Sequence, residues 1–240
     1  MAFSIKLFQL VAAYSSFLLA AKALTLATNY VLAMALTNEE FGYITFAQAL
    51  FLAAITIFGF NAQAAYIRYC QEFGARAVFL ALRPLYWFFG MLSLLVSLVT
   101  VIVYWGHSQY VWFALLPLAG VLGAHSASVS AVARSINSPR AYAASILGRP
   151  LLLFLLVLAM FGFFFMGPGS VDLSPTSFYV VATLLAAGCA AVLGLAMLGH
   201  QPQGVSVLGA RQVFSFLAPL MLVNVVALAN NVGDRFFLVA

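Results

Sequence analysis

Long apolar stretches separated by short polar gaps dominate this chain. They cover residues 7–36, 41–67, 85–105, 110–133, 141–166, 178–198 and 213–240. A hydrocarbon core of ~30 Å is crossed by ~20 helical residues, and every stretch is at least that long. The stretches are continuous rather than alternating, and a helix satisfies its backbone hydrogen bonds within its own segment. We therefore predict an all-α fold, a polytopic transmembrane helical bundle of about seven spans.

Seven of the ten Lys and Arg residues lie before the first stretch or in every second gap between stretches. They are Lys6, then Arg68, Arg76 and Arg83, then Arg134 and Arg140, and finally Arg211. The gaps at 37–40, 106–109 and 167–177 contain no Lys or Arg. Because Lys and Arg concentrate on the cytoplasmic side of a membrane, the pattern predicts a multi-pass protein with a cytoplasmic N-terminus.

Composition supports a membrane protein. The chain is 65% hydrophobic and 6% charged, with a mean hydropathy of +1.11, whereas soluble domains carry ~25% charged residues. The net charge of +5 comes mostly from basic residues outside or at the ends of the stretches. Membrane topology explains this placement better than a nucleic-acid surface does, so we expect no nucleic-acid partner.

The polar segment 199–210 (GHQPQGVSVLGA) suggests a domain boundary. We predict an N-terminal six-helix lobe at 1–199, a cytoplasmic linker at 200–210 and the first helix of a second lobe at 211–240. The last apolar stretch continues to the final residue. A helix that stops within lipid leaves its terminal carbonyls poorly solvated, so we expect the chain to be a fragment of a longer protein.

Polar residues within the first two stretches are candidates for function, because such groups are costly in lipid. Ser15, Lys22 and Asn29 recur every seven residues and share one helix face. A similar row in the second stretch contains Thr45, Gln48, Thr56, Gly59 and Gln63. The two rows predict walls of a water-filled cavity. The alternative is a snorkelling lysine with ordinary polar contacts between helices.

Three further polar features lie within the spans. Arg149 precedes Pro150 and either faces the cavity or snorkels to the headgroups. His125 lies among serines, where it is either a packing residue or a proton relay. Asp234 and Arg235 are adjacent, so they cannot face each other on a helix, and an interfacial cluster is the alternative to a functional pair.

Motifs for catalysis are missing from the sequence. It contains no HExxH, no GxSxG and no glycine-rich phosphate loop, and its five acidic residues are scattered. We therefore predict no catalytic residues, no metal site and no cofactor.

Residues 33–43, AMALTNEEFGY, resemble the first hairpin of a known transporter family. These are the lipid-linked oligosaccharide (O-antigen) flippases of the multidrug/oligosaccharidyl-lipid/polysaccharide exporter superfamily. Residues 231–238, NVGDRFFL, are similar to the seventh helix of the same family. The family has two six-helix lobes, so the resemblance implies that this chain covers one lobe and the start of the second.

The resemblance implies a flippase that moves undecaprenyl-pyrophosphate-linked oligosaccharide across the bacterial inner membrane. Lys22 and Arg149 would hold the phosphates, while Asn29, Gln48 and Gln63 would bind the sugars. Asp234, Arg235 and His125 would serve coupling or gating. Its partners would be the bilayer and a polysaccharide polymerase and ligase. The alternatives are an integral membrane enzyme or scaffold of envelope polysaccharide assembly, or a truncated non-functional product.

Overall fold

The computed structural model of the chain describes residues 2–105, 110–166, 174–198 and 208–237. These residues form eight α-helices and one 3-10 helix, with no strand among them. The helices are α1 (Ala2–Ala35), α2 (Asn38–Phe58), α3 (Ala62–Phe73), α4 (Ala75–Val103), the 3-10 helix (Val111–Leu115), α5 (Leu116–Ser135), α6 (Pro139–Met166), α7 (Pro175–Leu198) and α8 (Ala210–Phe237).

Seven helical segments in the described part of the chain are long and apolar enough to cross a membrane. Each contains a window that carries at most two charged residues. The exception among the helices is α3, which has 12 residues and carries Arg68. The prediction of an all-α, multi-pass bundle of about seven spans is thus confirmed.

The second apolar stretch does not form one helix, contrary to the prediction for residues 41–67. The helix α2 ends at Phe58, and α3 begins at Ala62. Between them Phe60 and Asn61 have positive φ angles of 37° and 56°. Asn adopts this left-handed conformation more readily than most residues. The break places Gln63 on a different helix from Gln48.

The helices α2 and α7 both begin with capping hydrogen bonds. At the start of α2 the Thr37 hydroxyl accepts from the Glu40 backbone N–H at 3.3 Å, and the Glu40 carboxylate accepts from the Thr37 N–H at 3.0 Å. At the start of α7 the Ser174 hydroxyl accepts from the Ser177 N–H at 3.2 Å. These local bonds satisfy donors that the first helical turn leaves free.

The helix α5 lies at the centre of the bundle. It packs against α2, α3, α4, α6 and α7, and 61% of its span is buried, compared with 17% for α4. One apolar core joins α3, α4 and α8 to one side of α5, and another joins α1, α2, α6 and α7 to the other. The outward faces of α1, α4 and α8 carry exposed Leu, Val and aromatic residues, as lipid contact requires.

Glycines allow α5 to approach α2 closely. A Cβ atom at Gly120 would overlap the Ala54 Cβ and lie 2.8 Å from the Ala54 carbonyl carbon. A Cβ atom at Gly123 would lie 2.9 Å from the Ile55 Cδ1 atom. Small residues drive such close packing in membranes, because lipid tails provide no hydrophobic driving force between helices.

The proposed domain boundary remains a prediction. Most of the linker at 200–210 lies outside the described residues. At its end Leu208 is buried, as are Val213 and Leu217 of α8, which pack in the core shared with α3 and α4. The helix α8 therefore contacts the preceding helices directly.

Replacing Gly120 by Ala should destabilise the fold. The new methyl group meets the backbone of Ala54, so the helices must separate at a cost of about 1–3 kcal/mol. Gly90→Ala is the matched control, because none of the residues that the structure describes lies within 4 Å of a Cβ atom at Gly90. Unfolding by SDS in mixed micelles, followed by circular dichroism, measures both. Equal stability of the two variants would contradict the close α2–α5 contact.

Candidate functional site

Polar side chains from four helices meet inside the bundle. They are Asn29 of α1, Gln48 of α2, Arg149 of α6 and Tyr179 of α7, which we call the four-helix cluster. The Gln48 Nε2 atom donates to the Asn29 Oδ1 atom at 2.9 Å and to the Tyr179 hydroxyl oxygen at 3.1 Å. Of the residues that the sequence analysis selected, Asn29 and Gln48 are thus joined by a hydrogen bond. Arg149 lies against Phe51, one turn from Gln48 on α2, and close enough to Tyr179 for its charge to act on the hydroxyl.

Gln48 is the central member of the cluster. A side-chain amide has two N–H donors, and Gln48 directs both to side chains of other helices. Tyr179 is only 3% exposed, and its hydroxyl, having accepted one hydrogen bond, still has a hydrogen to donate. Thr183 lies one turn further along α7, and its hydroxyl donates to the backbone carbonyl of Tyr179.

Arg149 lies over an aromatic ring rather than beside an acid. Its guanidinium carbon is 4.1 Å from the centroid of the Phe51 ring. Such a cation–π contact contributes ~2 kcal/mol when it is desolvated. The Nε atom of Arg149 is buried and has no hydrogen-bond partner among the described residues, although the side chain as a whole retains some accessible surface. The guanidinium is therefore held in place with donor capacity left over.

No acidic side chain in the described part of the chain neutralises Arg149. Glu39 and Glu40 lie in the first turn of α2, and Glu72 lies near the end of α3. The other two acids, Asp172 and Asp234, have side chains outside the described residues. The described cluster consequently combines one cation with neutral donors and acceptors, an arrangement that favours an anion.

The cluster lies well inside the membrane-spanning region. Gln48 is ten residues from the start of α2 and Arg149 is ten residues from the start of α6. At 1.5 Å per residue each is ~15 Å from its helix end, near the middle of a ~30 Å core. Tyr179 and Asn29 lie nearer the end of the bundle that carries the α1–α2 hairpin.

The remaining candidates lie apart from the cluster. Lys22 is exposed on α1, two turns from Asn29 on the same helix face, and Gln63 is exposed on α3. His125 lies edge-on to Tyr86, with ring centroids 6.2 Å apart. Asp234 and Arg235 belong to α8, but their side chains lie outside the described residues.

The rest of the predicted polar row on α2 has local roles. The hydroxyls of Thr45 and Thr56 donate to the carbonyls of Phe41 and Leu52, one turn earlier in the same helix. Gly59 packs closely against Ala124 of α5. Of the row that suggested a cavity wall, Gln48 alone joins the cluster.

Sequence reasoning missed Tyr179 and Phe51. Phe51 looks like any other apolar residue in its stretch, and no motif distinguishes it. Tyr179 did carry a signal, since a tyrosine buried in an apolar span usually finds a hydrogen-bond partner for its hydroxyl. That rule identifies a polar contact but does not name the partner helix.

Two cavities of the structure lie outside the cluster. One, of about 290 Å³, is at the hairpin end, where Glu39, Tyr43 and Tyr110 line it. The other is an apolar groove of about 680 Å³ between α4 and α5.

The fold and the cluster define a multi-pass helical membrane protein with a cationic, hydrogen-bonding site between its spans. Comparison of the chain with family models, with curated protein sequences and with solved structures finds no match. Any function must therefore be argued from the site and from the residues of the chain.

A double-mutant cycle tests the cluster. Gln48→Leu and Tyr179→Phe each remove one side of the same hydrogen bond, so we expect a coupling free energy of about 0.6 kcal/mol or more in their SDS unfolding. Thr45→Val with Tyr179→Phe is the control pair, because the Thr45 hydroxyl bonds within its own helix. A coupling no larger than that of the control pair would show that the bond between α2 and α7 is not formed.

Proposed function

We propose that this chain belongs to a flippase that moves undecaprenyl-pyrophosphate-linked oligosaccharide across the bacterial inner membrane. In this proposal the four-helix cluster binds the pyrophosphate and the first sugars. The membrane-spanning fold and the resemblance of residues 33–43 to the first hairpin of polysaccharide exporters support the assignment.

The observation that carries the proposal is Arg149, a cation near mid-membrane with a free donor and no acidic partner among the described side chains. A buried charge is costly unless it is paired or hydrated. A passing phosphate would supply the missing acceptor, because a guanidinium forms charge-assisted bonds with phosphate oxygens. The requirement is for a transient anion, which fits a transported substrate.

The neutral members of the cluster suit the glycan part of the substrate. Gln48 and Asn29 offer amide groups, and the Tyr179 hydroxyl can donate one more hydrogen bond. Sugar hydroxyls both donate and accept, so a mixed set of side chains can bind them. Lys22, ~10 Å along α1 from Asn29, would meet the pyrophosphate before or after Arg149 does.

The proposed orientation follows the distribution of basic residues. The N-terminus and the start of α6 would be cytoplasmic, and the α1–α2 hairpin would be periplasmic. Asp234, Arg235 and His125 remain proposals for coupling or gating. A polymerase and a ligase would use the translocated glycan.

The test replaces Arg149 by Gln in the full-length protein and reconstitutes the variant in liposomes. A fluorescent polyprenyl-pyrophosphoryl disaccharide serves as the probe, and a membrane-impermeant quencher reports its translocation. Loss of a hydrogen bond to a charged group costs about 1.5–3 kcal/mol, so binding should weaken by about 10- to 100-fold. Translocation should be lost as well.

Lys22→Met should lower transport, and Lys22→Arg should retain part of it because the charge is kept.

Arg140→Gln is the matched control, since Arg140 lies exposed in the first turn of the same helix. It should bind and translocate the probe like the parent. The proposal would be overturned if Arg149→Gln folded normally and still bound the probe with parental affinity.

A further inference from the structure

A groove between α4 and α5 opens on the outer surface of the bundle, away from the four-helix cluster. Its volume is about 680 Å³, within the range of ligand pockets. The lining is apolar apart from a few groups: Phe79, Arg83, Tyr86, Trp87, Gly90, Met91, Ser93, Leu94, Leu118, Val121, Leu122 and Leu184. Arg83 is therefore the charged residue of a groove whose lining is otherwise mostly apolar.

The position of Arg83 along α4 sets its depth in the membrane. Twenty residues separate Arg83 from Val103, the last residue of the helix. That distance is ~30 Å, which equals the thickness of the hydrocarbon core. Tyr104 and Trp105 follow and are exposed, as is typical of aromatic residues that anchor a span at the interface. When the C-terminal end of α4 lies at one headgroup boundary, Arg83 lies at the opposite one.

The groove runs from Arg83 into the hydrocarbon region. Leu94 lies eleven residues further along α4, so the lined face extends for ~16 Å. Gly90 lies within this length, and no described atom approaches within 4 Å of the site where its Cβ atom would be. The absent side chain keeps the middle of the groove open. Arg76 lies exposed two turns before Arg83 on the same face and adds a second positive charge on the headgroup side.

We propose that this groove binds an anionic phospholipid of the surrounding bilayer, with its phosphate on Arg83 and an acyl chain along α4 past Gly90. The cation at the headgroup boundary and the apolar channel below it match the two halves of one lipid molecule. Basic side chains at this level attract anionic lipids selectively. The site is separate from the proposed transport site and does not depend on it.

The experiment uses Trp87, which lines the groove and is 61% exposed. Trp105→Phe and Trp112→Phe leave Trp87 as the only tryptophan. The protein is reconstituted in phosphatidylcholine with a matched series of fractions of brominated phosphatidylglycerol or of brominated phosphatidylcholine. The bromine atoms of both lipids quench tryptophan on contact. We expect half-quenching at a roughly fivefold lower fraction of the anionic lipid.

Two variants separate the headgroup from the chain. Arg83→Gln should abolish the preference for phosphatidylglycerol, whereas Arg140→Gln, which lies outside the groove, should keep it. Gly90→Phe should reduce quenching by both brominated lipids, because its Cβ atom has open space among the described residues and its ring would fill the middle of the groove. Circular dichroism and gel filtration confirm that each variant is folded.

The other occupants would give different results. Equal quenching by the two lipids in the parent would mean ordinary lipid contact and would overturn the proposal. Weak quenching by both would mean that protein, such as a second copy, covers the groove. A preference that survives in Arg83→Gln would show that this arginine does not hold the headgroup.

Discussion

The bilayer penalises every polar atom that lacks a partner, and the interior of this bundle is arranged around that constraint. Gln48 meets it by donating to Asn29 and Tyr179, which lie on two other helices. Arg149 is stabilised only in part, through the ring of Phe51, and its buried Nε–H donor has no partner in the described part of the chain. The incomplete satisfaction of one cation is what distinguishes the cluster from ordinary polar packing and what gives it a reason to bind an anion.

The packing of α5 explains why these side chains can meet. Gly120 and Gly123 let α2 approach α5 closely, and α7 packs against another side of α5. Gln48 of α2 and Tyr179 of α7 are thereby held within hydrogen-bond distance. Small residues that carry no chemistry themselves thus position the residues that do.

The sequence predicted the parts of this structure that depend on local chemistry. Apolar run length predicted the number of spans. The cost of polar groups in lipid singled out Asn29, Gln48 and Arg149, and the structure places Gln48 in a hydrogen bond with Asn29 and Arg149 against Phe51, one turn from Gln48 on α2. Their role in binding a substrate stays a prediction. The break at Gly59–Asn61 was missed because its residues lie in an apolar run and the backbone turn leaves no hydropathy signal.

Tertiary contacts could not be inferred in the same way. Helical periodicity shows which residues share a face, but it does not show which helix that face meets. Lys22 and Asn29 share a face of α1, yet Asn29 joins the cluster while Lys22 stays exposed. Tyr179 was overlooked for the same reason, since its partners come from helices distant in sequence.

The central claim is that the cluster is a hydrated site for a pyrophosphate-bearing lipid. Thiol accessibility tests it directly in a background with Cys70 and Cys189 replaced by Ala. Asn29→Cys places a thiol at the cluster, and Tyr30→Cys places one at the same depth on an exposed face of α1, where Tyr30 is 67% exposed. A thiol ionises and reacts in water rather than in lipid.

A charged, membrane-impermeant thiol reagent should modify Asn29→Cys and leave Tyr30→Cys unmodified, and added polyprenyl pyrophosphate should slow the reaction at Asn29→Cys. Equal rates at the two positions, or a rate at Asn29→Cys that polyprenyl pyrophosphate does not change, would contradict the account.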